Sequence, residues 1–215
     1  PDYPRVIEEG FVGIHRELQG FYNALSKKDK QGPKGAQLKA MLTAATLPRD
    51  LSAKYRDQCL ALAELEPDAQ RENELKQMAE NLNMVPWEPP QTFWQAVQAL
   101  WLTHMLVMAD ENYPGAGTSF GRIDQYLYPL WQKSLDEGME REFGKEILKC
   151  FWIHANTAYD FMIRTGGNQG ITAGYGQLLT IGGLGPNGED MTNDLTYAIL
   201  EVIDEMSPIL EPKPN

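Results

Sequence analysis

The amino-acid sequence predicts a mainly α-helical chain with one or two strands, and three observations lead there. Apolar residues recur at spacings of three and four along most of the first 165 positions. Helix-start residues and prolines punctuate those runs at intervals suited to helices. From Thr165 the character changes: "TGGNQGITAGYGQLLTIGGLGPNGED" carries nine glycines in 26 residues and a single short apolar run.

Ile7, Phe11, Ile14, Leu18, Phe21 or Tyr22, and Leu25 mark an amphipathic helix over roughly 4–28. "KKDKQGPKG" (Lys27–Gly35) reads as a charged loop broken by Gly and Pro. A second helix is expected over 35–46, interrupted at Pro48 and resuming near Asp50 to Glu66; Pro67 then opens a segment over 67–82. "MVPWEPPQT" (Met84–Thr92) is a rigid connector, because each proline biases its predecessor toward extended backbone. Thr92 and Gln95 have capping-box spacing ahead of the apolar run Phe93–Ala109. That run is shorter than the ~20 residues of a bilayer span and contains Gln95, Gln98 and His104, so a buried core helix is expected. "ENYPGAGTS" ends it, and helical patterns resume over 123–137 and 140–164. Gln177–Ile181 is the strand candidate, Asn187-Gly188 a turn, and Thr192 or Asn193 the cap of a last helix reaching about Met206.

The 215 residues, 42% of them hydrophobic, suffice for one sizeable core. Because it begins at Pro1 and ends in the extended "LEPKPN", the chain is expected to be a piece of a longer polypeptide, or a processed one. A net charge of −11 argues against a general nucleic-acid partner, since such a surface repels phosphates. Cys59 and Cys150 form no CxxC and read as free buried thiols, consistent with a reducing cytoplasm.

Candidate chemistry is sparse. Gly183–Gly188 matches GxGxxG, but Pro186 removes an amide that a phosphate needs, and Glu189 and Asp190 repel it, so a strand-to-helix turn is expected. His15, His104 and His154 lack metal-ligand spacing. Asp110 and Glu111, at a helix end that disfavours carboxylates, either face water or are compensated by Arg122. Arg122 and Asp124, in "SFGRIDQYLYP", read as a structural clamp: a guanidinium among apolar neighbours needs carboxylates or carbonyls, and arginine makes a poor base near neutral pH. In "AGYGQLL", Gly174 and Gly176 leave space beside Tyr175 and Gln177, either for a pocket wall or for close packing of strand on helix.

Four ordered blocks, "PPQTFWQAVQALWLTHM", "SFGRIDQYLYPLWQKSLDEG", "FWIHANTAYD" and "LLTIGGLGPNGEDMTNDLTYAILEVIDEMSPILEPKPN", resemble the pyruvate formate-lyase domain of the glycyl-radical enzymes. The resemblance implies a partial domain over 1–215 belonging to a ten-stranded α/β barrel wrapped by helices. It implies a full-length lyase, or a formate C-acetyltransferase-like enzyme, of anaerobic metabolism. In such an enzyme a glycyl radical, installed by an S-adenosylmethionine-dependent iron–sulfur activating enzyme, generates a thiyl radical that abstracts hydrogen from a small-molecule substrate. The family's catalytic cysteine and "RVxG" glycyl loop lie beyond the motif ending this chain, and Cys59 and Cys150 match neither. The segment is therefore expected to hold no catalytic residue, to bind no metal or cofactor itself, and to be inactive alone. Alignment with the family pattern places Ser119 and the loop Gly170–Gln177, including Gly176, near substrate. Relatives acting on diols read "ESNGHSxSPGR" where this chain has "DENYPGAGTSFGR", which argues against diol or choline chemistry. Gly176 stands where pyruvate formate-lyase has an aromatic, and the roomier pocket points to a larger substrate, such as an arylacetate undergoing decarboxylation. An isethionate-type C–S lyase or a diol dehydratase is the alternative within the superfamily, and a noncatalytic helical scaffold or interaction module the alternative of another class. Family habit implies a homodimer; the cysteine usage, net charge and hydropathy point to a cytoplasmic chain without a nucleic-acid or membrane partner.

Overall fold

The computed structural model describes residues 1–110, 118–166, 177–209 and 211–214. The chain divides into two compact units, one of residues 2–91 with 98–103, the other of 92–97 and 104–215 with Pro1.

The first unit is helical: α1 (Tyr3–Ala24), α2 (Lys27–Gln31), α3 (Pro33–Ala63) and α4 (Ala69–Met84), with α3 packed against the other three. Asp2, Ser26 and Asp68 open α1, α2 and α4, each side chain accepting an amide of the first turn. The core gathers Cys59, Ala79, Leu82 and Leu102, with Leu51 and Met78 against it. Three expectations are corrected here. The charged loop over 27–35 is largely helical, because Ser26 caps α2 and Pro33 sits in the first turn of α3, where a missing amide costs nothing. Gly35 permits a close approach: a Cβ there would stand 2.2 Å from the Lys30 carbonyl oxygen. Pro48 does not interrupt α3, which runs unbroken through it; packing on α1 and α4 outweighs one lost backbone bond. In α1 the expected apolar face is only partly used, since Val6, Ile7 and Leu18 are buried while Phe21 is exposed.

Of α5 (Phe93–Asp110), residues 93–97 and 104–110 belong to the second unit. The Thr92 hydroxyl accepts the Gln95 amide at 3.2 Å, as the Thr-x-x-Gln spacing requires. The other elements are α6 (Ile123–Tyr126), α7 (Tyr128–Asp136), α8 (Arg141–Gly166), β1 (Leu178–Leu179), α9 (Asp194–Glu205) and β2 (Lys213–Pro214). The strands are parallel, with Leu178 opposite Lys213 and Leu179 opposite Pro214. The segment at Gly121 adds a parallel bridge on the other side of β1: Phe120 donates to the Leu178 carbonyl at 2.7 Å, and Thr180 to that of Gly121 at 2.9 Å. Within the C-terminal "EPKP", Lys213 and Pro214 are thus strand-paired, where only an unpaired extended segment was expected.

Trp131 anchors the core of this unit. It is fully buried, meets Phe93 edge-on at 4.9 Å, and donates its indole N–H to Asp194 at 2.9 Å. Gly144 makes room for it, since a Cβ at that position would lie 2.4 Å from the ring. An ionic lattice joins α8 to α9. Arg141 grips Glu201 through two bonds of 2.7 and 2.8 Å, and Lys145 reaches Glu205 at 2.6 Å and Glu201 at 3.1 Å. Hydrogen bonds from Arg141 and then Lys145 pull the Glu201 carboxyl down to about 2. Asn193, one of the two cap candidates, opens α9 in a reciprocal capping box with Thr196.

Candidate functional site

The site is assembled around β1, where α5, α8, the segment 118–121 and the chain before β2 supply side chains to one residue. Gln177, 4% exposed, accepts through Oε1 from His104 Nε2 at 2.7 Å and donates through Nε2 to the Ala155 carbonyl at 2.7 Å. Its backbone amide donates to Glu211 Oε2 at 2.8 Å, and its carbonyl accepts from the Lys213 amide at 3.1 Å. His104 is fully buried, with its ring 4.0 Å from that of Phe120. Burial pushes the imidazole down to about 4, against the opposing pull of the Gln177 bond; the amino group of Pro1 adds a smaller push downward. His104 is therefore neutral near pH 7. The Glu211 carboxyl is fully buried and raised by desolvation; its Oε1 has no well-directed hydrogen bond, only the Lys213 ammonium 3.3 Å away.

Neutral burial of His104 has a consequence for stability. The unfolded imidazole takes up a proton near its ordinary 6.5, the folded one only near 4. Stability is thus fully present above about pH 6.5 and falls as pH drops toward 4, by an amount of about 3 kcal/mol. Denaturation midpoints across this range should show the slope in the wild type and a much flatter one in His104→Gln.

Ser119 lies beside the same strand: its hydroxyl donates to the Leu178 carbonyl at 2.9 Å and accepts the Gly121 amide at 3.1 Å. Gly170 and Gly176, with Gly174, Tyr175 and Glu111, lie outside the described residues. Asp110 is exposed at the end of α5. Arg122 and Asp124 both act on the bend after β1. Arg122 donates to the carbonyls of Gly182 and, at 3.4 Å, Leu184. Asp124, fully buried, accepts the Gly182 amide at 2.6 Å and the Thr196 hydroxyl at 2.7 Å. Gly182 and Gly183, at φ of 60° and 80°, supply the left-handed backbone of that bend. Since the guanidinium ends on carbonyls and is half-buried, Arg122→Ala should cost about 2 kcal/mol, the worth of charge-assisted bonds to backbone. A thermal melt unchanged in that variant would remove the bond pair from the account.

Among the described residues, no group of three His, Cys, Asp or Glu is placed to hold a metal. His15 sits in the first unit against Trp87 and Cys59 is in that unit's core; Cys150, expected to be buried like Cys59, is instead exposed, on the same side of α8 as His154. The GxGxxG stretch is a tight turn that spends amides on its own carbonyls, Gly185 on Glu189 and Gly188 on Gly185. The pairing of His104 and Gln177, 73 positions apart, was not foreseen from local spacing. The one signal was polar His104 inside an apolar helix.

A mainly helical chain with few strands among the described residues is what a portion of a larger α/β barrel presents. A family model described as pyruvate formate lyase-like matches residues 1–215, and the chain belongs to this family of glycyl-radical enzymes. Isethionate sulfite-lyase of Nitratidesulfovibrio vulgaris is 36% identical over 209 residues, 93% of this chain and 24% of the relative. The crystal structure of hydroxyproline dehydratase from Clostridioides difficile, solved with trans-4-hydroxy-L-proline bound, superposes with a TM-score of 0.82 at 27% identity, covering 98% of this chain and 27% of that one. Indoleacetate decarboxylase of Tractidigestivibacter scatoligenes is 34% identical over 149 residues, only 68% of this chain and 16% of the relative. The chain spans about a quarter of the length of the relatives that it matches most fully. The lean toward an arylacetate decarboxylase is therefore corrected: the isethionate and dehydratase alternatives are matched better. That lean rested on the width left by Gly176, a single position outside the described residues, and one missing side chain does not define a cavity's shape.

Among the described residues no helix is long and apolar enough to cross a membrane.

Proposed function

We propose that this chain forms part of the substrate-cavity wall of a glycyl-radical enzyme that cleaves a C–O or C–S bond in a small polar molecule. The observation that supports this most strongly is the match over nearly the whole chain to an isethionate sulfite-lyase and a hydroxyproline dehydratase. In the complete protein, a glycyl radical installed by an S-adenosylmethionine-dependent iron–sulfur activating enzyme would supply the oxidising equivalent for hydrogen abstraction by a cysteine outside this chain. The residues described in this chain do other work. Ser119 borders the cavity, and the loop carrying Gly170 and Gly176, which lies outside the described residues, is assigned to it from the family pattern alone. Arg122 and Asp124 hold the bend behind it, and the buried His104–Gln177 pair keeps a neutral, hydrogen-bonded interior. A histidine held neutral at this wall suits radical chemistry, which needs water and stray protons kept away from its intermediates. The segment by itself is inactive, and the complete enzyme is a homodimer.

The test is turnover by the complete protein, activated anaerobically and offered isethionate, trans-4-hydroxy-L-proline and indoleacetate. Sulfite release or dehydration is expected. Carbon dioxide from indoleacetate, with no product from the other two, would return the reading to a decarboxylase.

A further inference from the structure

We infer that Gln177 is a positioning residue: it holds His104 as the Nε2–H tautomer and, clamped by Glu211, sets where β1 begins. The orientation of its amide follows from its partners. The Ala155 carbonyl, 2.7 Å away, can only accept, so the NH2 end of the amide must face it. Oε1 then faces His104 Nε2 at 2.7 Å, and an acceptor at that distance requires the ring proton to be on Nε2. The lone pair is left on Nδ1. Both ends of the amide are thus committed inside the wall, and the side chain is 4% exposed. Gln177 therefore acts on a substrate through the placement of β1 rather than by contact.

The backbone is held as firmly. The Gln177 amide would face the carbonyl of residue 211 in a continued parallel ladder; instead the Glu211 side chain curls in and accepts it at 2.8 Å. The next bond, from the Lys213 amide to the Gln177 carbonyl at 3.1 Å, starts the paired register. One residue thus ties α5, α8 and the chain before β2 to the first position of β1. The same strand carries the Ser119 hydroxyl on the Leu178 carbonyl, so moving Gln177 moves Ser119 with it. This inference concerns ring protonation and strand placement, and it stands whichever bond the enzyme cleaves.

The test is nitrogen-15 magic-angle-spinning NMR on the complete protein labelled at histidine, with His104→Gln assigning the signal. The expected spectrum of the wild type has His104 wholly as the Nε2–H tautomer, unchanged between about pH 5.5 and 8. In Gln177→Leu, which keeps the volume but neither polar end, His104 should become a mixture of tautomers. The Leu178–Thr180 amides should then exchange about tenfold faster. An Nδ1–H ring in the wild type, or a His104 titrating near its ordinary pH, would overturn the inference. So would a folded Gln177→Leu that leaves tautomer and exchange unaltered. Should Gln177→Leu fail to fold, the wild-type spectrum alone decides. Because no turnover is read, failure here is distinguishable from failure of the proposed reaction.

Discussion

Gly10→Ala is expected to cost the first unit about 4 kcal/mol or more, the largest loss foreseen for a single methyl group. Gly10 interrupts α1 with φ 63° and ψ 172°, a conformation essentially closed to residues with a Cβ. The interruption releases the amides of Phe11 and Val12, which donate to the carbonyls of Pro86 at 3.0 Å and Trp87 at 2.9 Å. A Cβ on Gly10 would lie 2.4 Å from the Trp87 carbonyl oxygen, 2.7 Å from the Glu88 carbonyl carbon and 2.8 Å from Pro89 N. All three are backbone atoms, so no rotamer change relieves the overlap, and the crossing segment must withdraw with both of its bonds. Gly20→Ala in the same helix is the control. Nothing lies within 4 Å of its added carbon, so it should gain about 0.5–1 kcal/mol from reduced backbone freedom in the unfolded chain. Thermal melts that rank the two variants equally would contradict this assignment.

Asp124→Ala should destabilise the second unit by about 4 kcal/mol, roughly twice the loss from Arg122→Ala. It orphans two buried donors, the Gly182 amide and the Thr196 hydroxyl, and empties side-chain volume at a fully buried position. Since Thr196 also closes the capping box of α9, the loss should appear as faster amide exchange in the first turn of that helix. Asp124→Asn keeps an oxygen facing both donors, and a cost of about 1–2 kcal/mol is expected. A melting temperature unmoved by the alanine would mean that the bend after β1 is held by other groups.

The parts of this fold legible in the sequence are those set by local rules. Thr92 opens α5 and Asn193 opens α9 because capping depends on residues three positions apart, which a reader can see. Long-range packing decided the rest. Pro48 costs α3 a bond that contacts with α1 and α4 make up, and Gly35 acts as a spacer against Lys30 rather than as a breaker. β2 is a strand only because β1 lies beside it, so two residues of "EPKP" carry no signal alone. The candidate site shows the same limit. Arg122 and Asp124 stand two apart, but their common target, Gly182, is about sixty positions downstream. Gln177 was singled out for its glycine neighbours, and its partners His104, Ala155 and Glu211 come from three separate stretches of chain.

The most direct measurement of the central claim is an electron paramagnetic resonance spectrum of the complete protein after anaerobic treatment with a cognate activating enzyme and S-adenosylmethionine. A glycyl-radical doublet is predicted. A silent spectrum, where a related enzyme handled alongside gives the doublet, would contradict the account and favour a noncatalytic helical scaffold.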